Sequence, residues 1–311
     1  MDIAIGTPGQ YLSLEVDTSF ATSFVVTLAS YKKVQFENYK IEASATKALG
    51  AHASSAVGNR QLEGRINTDV LRIGEYIHPG FTFQMIEKLQ WRPYFLDHFS
   101  GKLGLAPTSD LTAENFVGAL QRVFPHEPVF TFWFRPDEDG EYRNGIFSFG
   151  GVHDYRYDGQ LLYFPVVFAN SWIIQATKIS LGEDVVCQQD CNIQFSTAVP
   201  YFYGPREQIN QIHRLLNLPA DGISQGENIL NCDKADSYPQ LHVQFGSLHV
   251  HWRMDEIWET KRDRKSFVCK SGIRTNIGLP GWECGHKLMY KLFTVYDLRN
   301  ARIGLADASR P

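Results

Sequence analysis

Apolar and polar residues alternate in short runs over most of the chain, and turn residues separate the runs. These runs are rich in β-branched and aromatic residues, which is typical of strands. A glycine–serine pair at 246–247 divides one run into two and predicts a hairpin. Clear examples are LSLEVDTSFATSFVVTL (12–28), PVFTFWF (128–134) and LHVQFGSLHVHW (241–252).

Helical periodicity is confined to two short segments. PREQINQIHRLLNL (205–218) places Ile209, Ile212 and Leu216 on one face and Pro205 at the first helical position. TAENFVGALQRV (112–123) predicts a second helix, with Thr112 as its cap. The chain is therefore predicted to be mostly β.

The composition is that of a globular protein: 43% of the 311 residues are hydrophobic, 21% are charged, and the net charge is −4. This balance argues against disorder and against a general nucleic-acid binder. No apolar run approaches the length of a membrane span. A chain of this length can form two domains with ample cores.

A weak internal repeat supports two lobes. SLEVDTSFATSFVV (13–26) and CNIQFSTAVPYFYGP (191–205) both run from strand residues into a Thr-containing signal and then into small and aromatic residues. Downstream of each copy lies a fixed Gly, in KLGLAP (102–107) and in WECGHK (282–287). We expect a boundary near FGG (149–151), giving a lobe at 1–152 and a lobe at 153–311.

The five cysteines indicate two disulfides and one buried thiol. Cys187 and Cys191 lie four residues apart, Cys232 and Cys269 flank a long segment, and Cys284 is left over. A metal site on the CxxxC pair is disfavoured because no second ligand pair of suitable spacing accompanies it. Disulfides imply an oxidising compartment. Closing the longer loop would stabilise the fold by about 3–4 kcal/mol on the chain-entropy model.

Several segments together resemble the pepsin-like aspartic peptidases over nearly the whole chain. IGTPGQYLSLEVDT (5–18) is similar to the family's first active-site strand, and SGKLGLAP (100–107) to its hydrophobic–hydrophobic–Gly element. IFSFGGVHDYRYDGQLLYFPV (146–166) resembles the crossing between lobes, and the segment from Trp282 through Gly285 to ADA (306–308) the closing part. The resemblance implies a bilobed acid-protease fold: two pseudo-symmetric β lobes, a cleft between them, and a flap in the N-terminal lobe.

The same resemblance places the two catalytic aspartates of the family at Asp17 and Ser196. The family's chemistry needs two carboxylates that share one proton across a lytic water. A serine hydroxyl cannot be the base, and losing one member of such a unit costs orders of magnitude in rate. We therefore expect no catalytic residues and no enzymatic activity. This expectation fails if another Asp or Glu lies within hydrogen-bonding reach of Asp17; the nearest alternative in sequence, Asp190, breaks the register.

The neighbouring positions depart from the family in the same direction. Thr18 and Thr197 are retained, and by resemblance they hydrogen-bond between the lobes. By resemblance, three kinds of residue that serve the chemistry are replaced here. Phe20 and Val199 stand at the family's hydroxyl positions, and Ser19 and Ala198 stand where the family has glycine. Val57, beside Gly58, stands at the position of the flap tyrosine. Loss at so many positions around one centre indicates an inherited inactivity.

For two other polar clusters, a structural interpretation is favoured over a functional one. His242, His249 and His251 share a strand-pair face and could hold zinc, but surface histidines are the favoured interpretation. The basic run KRDRK (261–265) could contact an acidic partner, but a solvated loop is favoured. We expect no metal and no cofactor.

The hypothesis from sequence is a pseudopeptidase that binds a peptide, protein or other ligand through its cleft or surface. It is expected to be secreted or luminal, with any signal segment upstream of this chain. Two alternatives stay open: a weak or altered hydrolase that uses Asp17, and a structural or assembly protein. The sequence identifies neither the ligand nor the oligomeric state.

Overall fold

The computed structural model shows a mostly β protein built from several sheets, which confirms the fold class predicted from sequence. The chain packs as two compact units, unit 1 (1–126) and unit 2 (127–311). No helix in the described part of the chain is long and apolar enough to cross a membrane. The structure describes residues 1–27, 37–57, 60–88, 98–107, 115–135, 144–219, 228–263, 266–276 and 281–310.

Unit 1 is organised around one seven-stranded sheet with the order β1-β2-β7-β3-β6-β5-β4. Strand β1 also pairs with β5, so the sheet curls back on itself. Its elements are β1 (Asp2–Ile5), β2 (Gln10–Asp17), β3 (Phe24–Val26), a 3-10 turn (Ile41–Ala43), β4 (Ala48–Val57), β5 (Arg60–Ile73), β6 (Tyr76–Lys88), β7 (Gly101–Gly104) and α1 (Phe116–Val123).

The flap predicted in the N-terminal lobe falls on the hairpin of β4 and β5. These strands pair antiparallel up to Val57 opposite Arg60. Gly58 lies outside the described residues.

Unit 2 contains four sheets, two of five strands, one of four and one of three. Its first elements are β8 (Val129–Arg135), β9 (Asn144–Phe149), a 3-10 turn (Asp154–Arg156), β10 (Tyr157–Pro165), β11 (Ile173–Ala176), β12 (Lys178–Leu181), β13 (Asp184–Cys187), β14 (Cys191–Ser196), β15 (Phe202–Gly204) and α2 (Arg206–Leu215). The remaining elements are β16 (Ile229–Leu230), a 3-10 turn (Cys232–Ser237), β17 (Leu241–Phe245), β18 (Leu248–Trp252), α3 (Met254–Ile257), β19 (Glu259–Asp263), β20 (Ser266–Lys270), β21 (Ile273–Thr275), β22 (Trp282–Gly285), α4 (His286–Met289), β23 (Leu292–Asp297) and β24 (Arg302–Ala308).

The division into units differs from the lobes predicted at 1–152 and 153–311. One five-stranded sheet has the order β10-β24-β23-β8-β9, so strands on both sides of residue 152 belong to it. Strand β8 pairs with β23 near the end of the chain, which draws the segment from 127 into unit 2. The FGG segment thus follows a strand within a sheet and is not a linker.

The two helices form close to where the periodicity predicts them. The shared face of α2 is buried, with Ile209 and Ile212 inaccessible and Leu216 almost so. Pro205 is its cap residue and not its first helical residue, a shift of one position. Helix α1 begins at Phe116 and its cap is Asn115, whose side chain accepts from the Gly118 amide. The predicted cap, Thr112, lies outside the described residues.

The hairpin predicted at Gly246–Ser247 joins β17 to β18, and its outer face carries the three histidines. His242 lies opposite His251 across the pair, and both are exposed together with His249. No group of three metal-ligating side chains suited to an ion occurs among the described residues. The favoured interpretation, surface histidines, therefore agrees with the geometry. The basic run at 261–265 is only partly described: its first three residues end β19, and 264–265 lie outside the described residues.

Both predicted disulfides are present in unit 2. Cys187 bonds Cys191 across the turn between β13 and β14, and Cys232 bonds Cys269, 37 residues away. Cys284 is a buried free thiol, and burial raises its pKa.

Candidate functional site

The two halves of the sequence repeat form the same local structure, one in each unit. In unit 1, β2 runs parallel to β7 and sets Asp17 beside Gly104. In unit 2, β14 runs parallel to β22 and sets Ser196 beside Gly285. We call residues 15–21 with 102–104 the first half-site, and residues 194–201 with 283–286 the second half-site.

Each of these glycines is required by the loop that follows its partner strand. A Cβ on Gly104 would lie 2.6 Å from the carbonyl oxygen of Ala21. A Cβ on Gly285 would lie 2.5 Å from the carbonyl oxygen of Val199. Any side chain would push the loop away, so both copies of the repeat carry Gly for the same reason. This equivalence fixes the register in which Asp17 and Ser196 correspond.

Asp190 is not an alternative to Ser196. It is exposed in the turn between the two bonded cysteines and has a left-handed backbone, with φ of 51°. Its side-chain Oδ1 lies 3.5 Å from Gln175 Nε2, and its backbone carbonyl accepts from the Asn192 amide at 2.8 Å.

The carboxylate of Asp17 is buried and fully engaged within unit 1. Oδ1 accepts from the Ser19 amide at 2.8 Å and from the Ser19 hydroxyl at 2.6 Å. Oδ2 lies 2.5 Å from the ammonium of Lys102. Ser19 stands where the family has Gly and supports Asp17 directly. The amide still reaches the carboxylate, and the serine adds a hydroxyl of its own.

Lys102 joins Asp17 to a second carboxylate, Glu15. The Lys102 ammonium lies 2.8 Å from Glu15 Oε2, and only 6% of the Lys102 side chain is exposed. Burial raises the pKa of Glu15 and outweighs the opposing effect of Lys102. Burial would lower the pKa of Lys102, but the charges of Asp17 and Glu15 outweigh it and raise that pKa. Lys102 is therefore a permanent cation at any physiological pH.

The inactivity expected from sequence requires that no other carboxylate lies within hydrogen-bonding reach of Asp17, and Glu15 is the nearby carboxylate to test. The two acids are linked through the ammonium and form no hydrogen bond to each other among the described contacts. A proton cannot be shared between two carboxylates when an ammonium lies between them. Glu15 is thus a partner of Lys102 and does not replace the missing aspartate.

The sequence reasoning missed this charge cluster. Glu15 is two residues from Asp17 on the same strand, so both point to one face of the sheet. The parallel register sets Glu15 directly beside Lys102. The available signal was the charged Lys102 in an element whose family pattern is hydrophobic–hydrophobic–Gly.

The second half-site has no charge at the equivalent position. Ser196 is inaccessible, and its hydroxyl has no hydrogen-bond partner among the described residues. Gln194 and Glu283, both buried, lie beside one another where the first half-site has Glu15 and Lys102. The hydroxyl of Ser196 can neither ionise at a working pH nor act as a general base.

His286 borders the second half-site. Its amide donates to the carbonyl of Val199 at 2.8 Å, and its Nδ1 lies 3.1 Å from the carbonyl of Thr197. A carbonyl only accepts, so this contact assigns the ring proton to Nδ1. Burial lowers the pKa of His286, which keeps the ring neutral at neutral pH.

The other predicted site residues occupy ordinary packing positions. Thr18 is inaccessible, and Thr197 is half-buried. Phe20 packs against a core cluster that includes Phe24, with the two rings edge to face at 5.9 Å. Val199 is half-buried and contributes its carbonyl to His286.

Comparison with known proteins identifies the class to which these half-sites belong. A model of the family described as eukaryotic aspartyl protease matches residues 1–308. The chain therefore belongs to the eukaryotic aspartyl protease family.

Individual relatives are distant but extend over almost the whole chain. Pregnancy-associated glycoprotein 2 of Bos taurus is 26% identical over 317 residues, which cover 99% of this chain and 81% of the relative. Pepsin A-5 of Mus musculus is 27% identical, covering 99% of this chain and 80% of the relative. Cathepsin D of Bos taurus is 24% identical, covering 99% and 84%.

Proposed function

We propose that this protein is a non-catalytic member of the aspartyl protease family that binds a peptide or protein ligand and does not cleave it. The observation that carries the proposal is Ser196, which stands at the end of β14 beside Gly285 as Asp17 stands at the end of β2 beside Gly104. An uncharged hydroxyl occupies the position from which the second acid would act.

The chemistry of the family explains why this one replacement is decisive. One carboxylate must take a proton from water while the other gives one to the substrate carbonyl. The two acids perform this only because their proximity separates their pKa values. An alcohol provides neither the negative charge nor a proton acidic enough to be transferred at a working pH. Loss of one member of such a unit reduces the rate by several orders of magnitude.

The binding function is supported by what the chain retains. The family model extends over residues 1–308, which supports retention of the family's capacity to bind peptides. Peptide binding in a family of peptidases precedes cleavage and does not require both acids. Replacement of the family's second aspartate by Ser196 therefore removes the reaction and leaves peptide binding.

A secreted or luminal location accompanies the proposal. Two disulfides persist in oxidising compartments, and the bond from Cys232 to Cys269 closes a long loop. Among the relatives, one is named vacuolar aspartic protease, from Candida albicans, at 25% identity over 98% of this chain. This name agrees with an acidic compartment reached through the secretory route.

Proteolysis and peptide selection test the proposal together. The purified chain is incubated with reduced, carboxymethylated albumin from pH 2 to pH 7, beside an Asp17→Asn variant whose fold is checked by circular dichroism. We expect no cleavage by either protein. Acid proteolysis that Asp17→Asn abolishes would refute the proposal and favour a hydrolase dependent on Asp17.

Immobilised protein is then panned against a random heptapeptide phage library. We expect a family of related peptides, each binding more tightly than its scrambled counterpart. If neither cleavage nor peptide binding is found, the binding half of the proposal fails. Solution mass measured against concentration then tests the structural or assembly role.

A further inference from the structure

The retained aspartate has a role that the loss of catalysis does not explain. We propose that Asp17 is a structural counter-ion: together with Glu15 it neutralises the buried ammonium of Lys102, and this ion cluster is needed for the stability of unit 1. The cluster is also a second obstacle to family chemistry, independent of Ser196.

The cluster joins the buried ammonium of Lys102 to two carboxylates, of which Asp17 is buried and Glu15 is partly exposed. Lys102 Nζ lies 2.5 Å from Asp17 Oδ2 and 2.8 Å from Glu15 Oε2. Exposed fractions of the side chains are 6% for Lys102, 3% for Asp17 and 16% for Glu15. The second oxygen of Asp17 is held by the amide and hydroxyl of Ser19. Both oxygens of Asp17 are thus engaged inside the unit.

The strand register brings the charged residues of the cluster together. Parallel pairing of β2 with β7 sets Glu15 beside Lys102 and Asp17 beside Gly104. Glu15 and Asp17 lie on the same face of β2, so one ammonium at Lys102 reaches both. A lysine at this buried position without these acids would be an unpaired charge, which proteins rarely tolerate.

The second half-site supplies the contrast. Ser196 occupies the position equivalent to Asp17 but carries no charge, and its hydroxyl has no partner among the described residues. No lysine lies at the position equivalent to Lys102, which holds Glu283. An uncharged residue is therefore tolerated at Ser196, whereas Asp17 is required by its ammonium. Ser196→Ala is a matched control for changes in the first half-site.

Hydrogen exchange on the full-length protein tests the cluster locally. Amide protection of β2 and β7 is compared between wild type, Lys102→Met, Lys102→Met/Asp17→Asn and Ser196→Ala, with β14 and β22 of unit 2 as internal reference. Lys102→Met removes the ammonium that contacts both carboxylates, leaving Asp17 buried without it and Glu15 with only the weaker influence of His98. We expect Lys102→Met to reduce protection of β2 and β7 roughly 150-fold or more at pH 7, since breaking a buried pair is strongly destabilising.

The double variant and the pH separate charge from packing. Lys102→Met/Asp17→Asn removes one of the two uncompensated charges, so it should recover about tenfold or more of the lost protection. Lowering the pH to 4 should also reduce the loss in Lys102→Met, because the carboxylates can then be protonated. Ser196→Ala should change protection of β2 and β7 less than twofold.

Three results would overturn the inference. The first is a loss of amide protection in Lys102→Met that does not change with pH. The second is a double variant no better protected than Lys102→Met. The third is a loss of protection in Ser196→Ala equal to that in Lys102→Met. A Lys102→Met chain that does not fold supports the inference if the double variant folds, and opposes it if neither folds. Because these readouts are stability and exchange, the structural role can fail while the protein remains inactive. The structural role can also hold if proteolysis is found, but the cluster would then be no obstacle to the chemistry.

Discussion

Restoring the missing acid alone should not restore the chemistry. Ser196→Asp replaces the lost carboxylate, but Asp17 Oδ2 remains 2.5 Å from the ammonium of Lys102. A pair of acids that shares a proton needs that oxygen free of a fixed cation. Glu15→Leu and Lys102→Met, added to Ser196→Asp, remove the cation with its second partner and leave apolar side chains of similar volume.

The size of the difference follows from the ion cluster. Breaking a buried ion pair costs about 3–5 kcal/mol. If the productive state of the single variant requires that break, its population falls roughly 150- to 5,000-fold, at 1.36 kcal/mol for each factor of ten. We therefore expect the triple variant to cleave albumin at pH 3–4 faster than Ser196→Asp alone by a factor in that range. The other departures from the family lower both rates alike, so the ratio is the quantity to measure.

Two measurements check this expectation. The first is the rate of albumin cleavage, with Asp17→Asn added to the triple variant as the control that should abolish it. The second is an NMR titration of the Asp carboxyl carbons, which reports even when both rates are too low to measure. We expect a carboxyl with a strongly raised pKa in the triple variant only, because two acids that share a proton, as in the family's chemistry, cannot both ionise easily. Equal, measurable cleavage rates of Ser196→Asp and the triple variant would refute the reasoning. So would a strongly raised carboxyl pKa in the single variant Ser196→Asp.

Further expectations concern unit 2. Gly285→Ala should destabilise the protein by about 1–3 kcal/mol in urea denaturation, because its Cβ meets loop carbonyls at 2.5 Å. Gly151→Ala should change little, because its Cβ would lie 3.9 Å from the Glu127 carboxylate, an ordinary van der Waals contact. For Asp297, burial would raise the pKa, but hydrogen bonds to its carboxylate and the ion pair with Arg302 outweigh burial and lower it. A lowered pKa means that the carboxylate contributes stability above its ordinary pKa and that this stability is lost as the pH falls. Asp297→Asn should therefore lower the melting temperature by about 3–8 °C at pH 7. The difference in melting temperature should disappear towards pH 2. The thiol of Cys284 is buried and its pKa is raised, so iodoacetamide should label it only after unfolding, as mass spectrometry can measure.

Local pattern was enough to predict the strands and the corresponding positions of the two halves. Strand alternation, the Gly–Ser hairpin and the periodic face of α2 depend on neighbours in sequence, and these features agree with the structure. The correspondence of Asp17 with Ser196 followed from a repeat that includes a distant glycine. The register of β2 with β7 and of β14 with β22 is the physical reason for that repeat.

Features that depend on pairing between distant segments were not predicted. The ion cluster requires the parallel register that brings Glu15 to Lys102, 87 positions along the chain, and sequence patterns do not give registers of that kind. The cap of α1 was placed too early because Thr112 satisfies the composition rule, whereas Asn115 satisfies the geometry. The support that Ser19 gives Asp17 was missed because the family comparison treats that residue only as the loss of a glycine.

The asymmetry between Asp17 and Ser196 has a physical explanation that does not require residual activity. Under the proposed function catalysis is not needed, and an acid at either position is then retained where its removal harms the fold. At the second position no described cation depends on the side chain, so an uncharged serine costs little more than one unpaired hydroxyl. At the first position Lys102 is buried against Asp17 and Glu15, so loss of the aspartate would weaken the compensation of an interior charge. The surviving aspartate is therefore the one that its own unit needs, and its presence is no argument for a working protease.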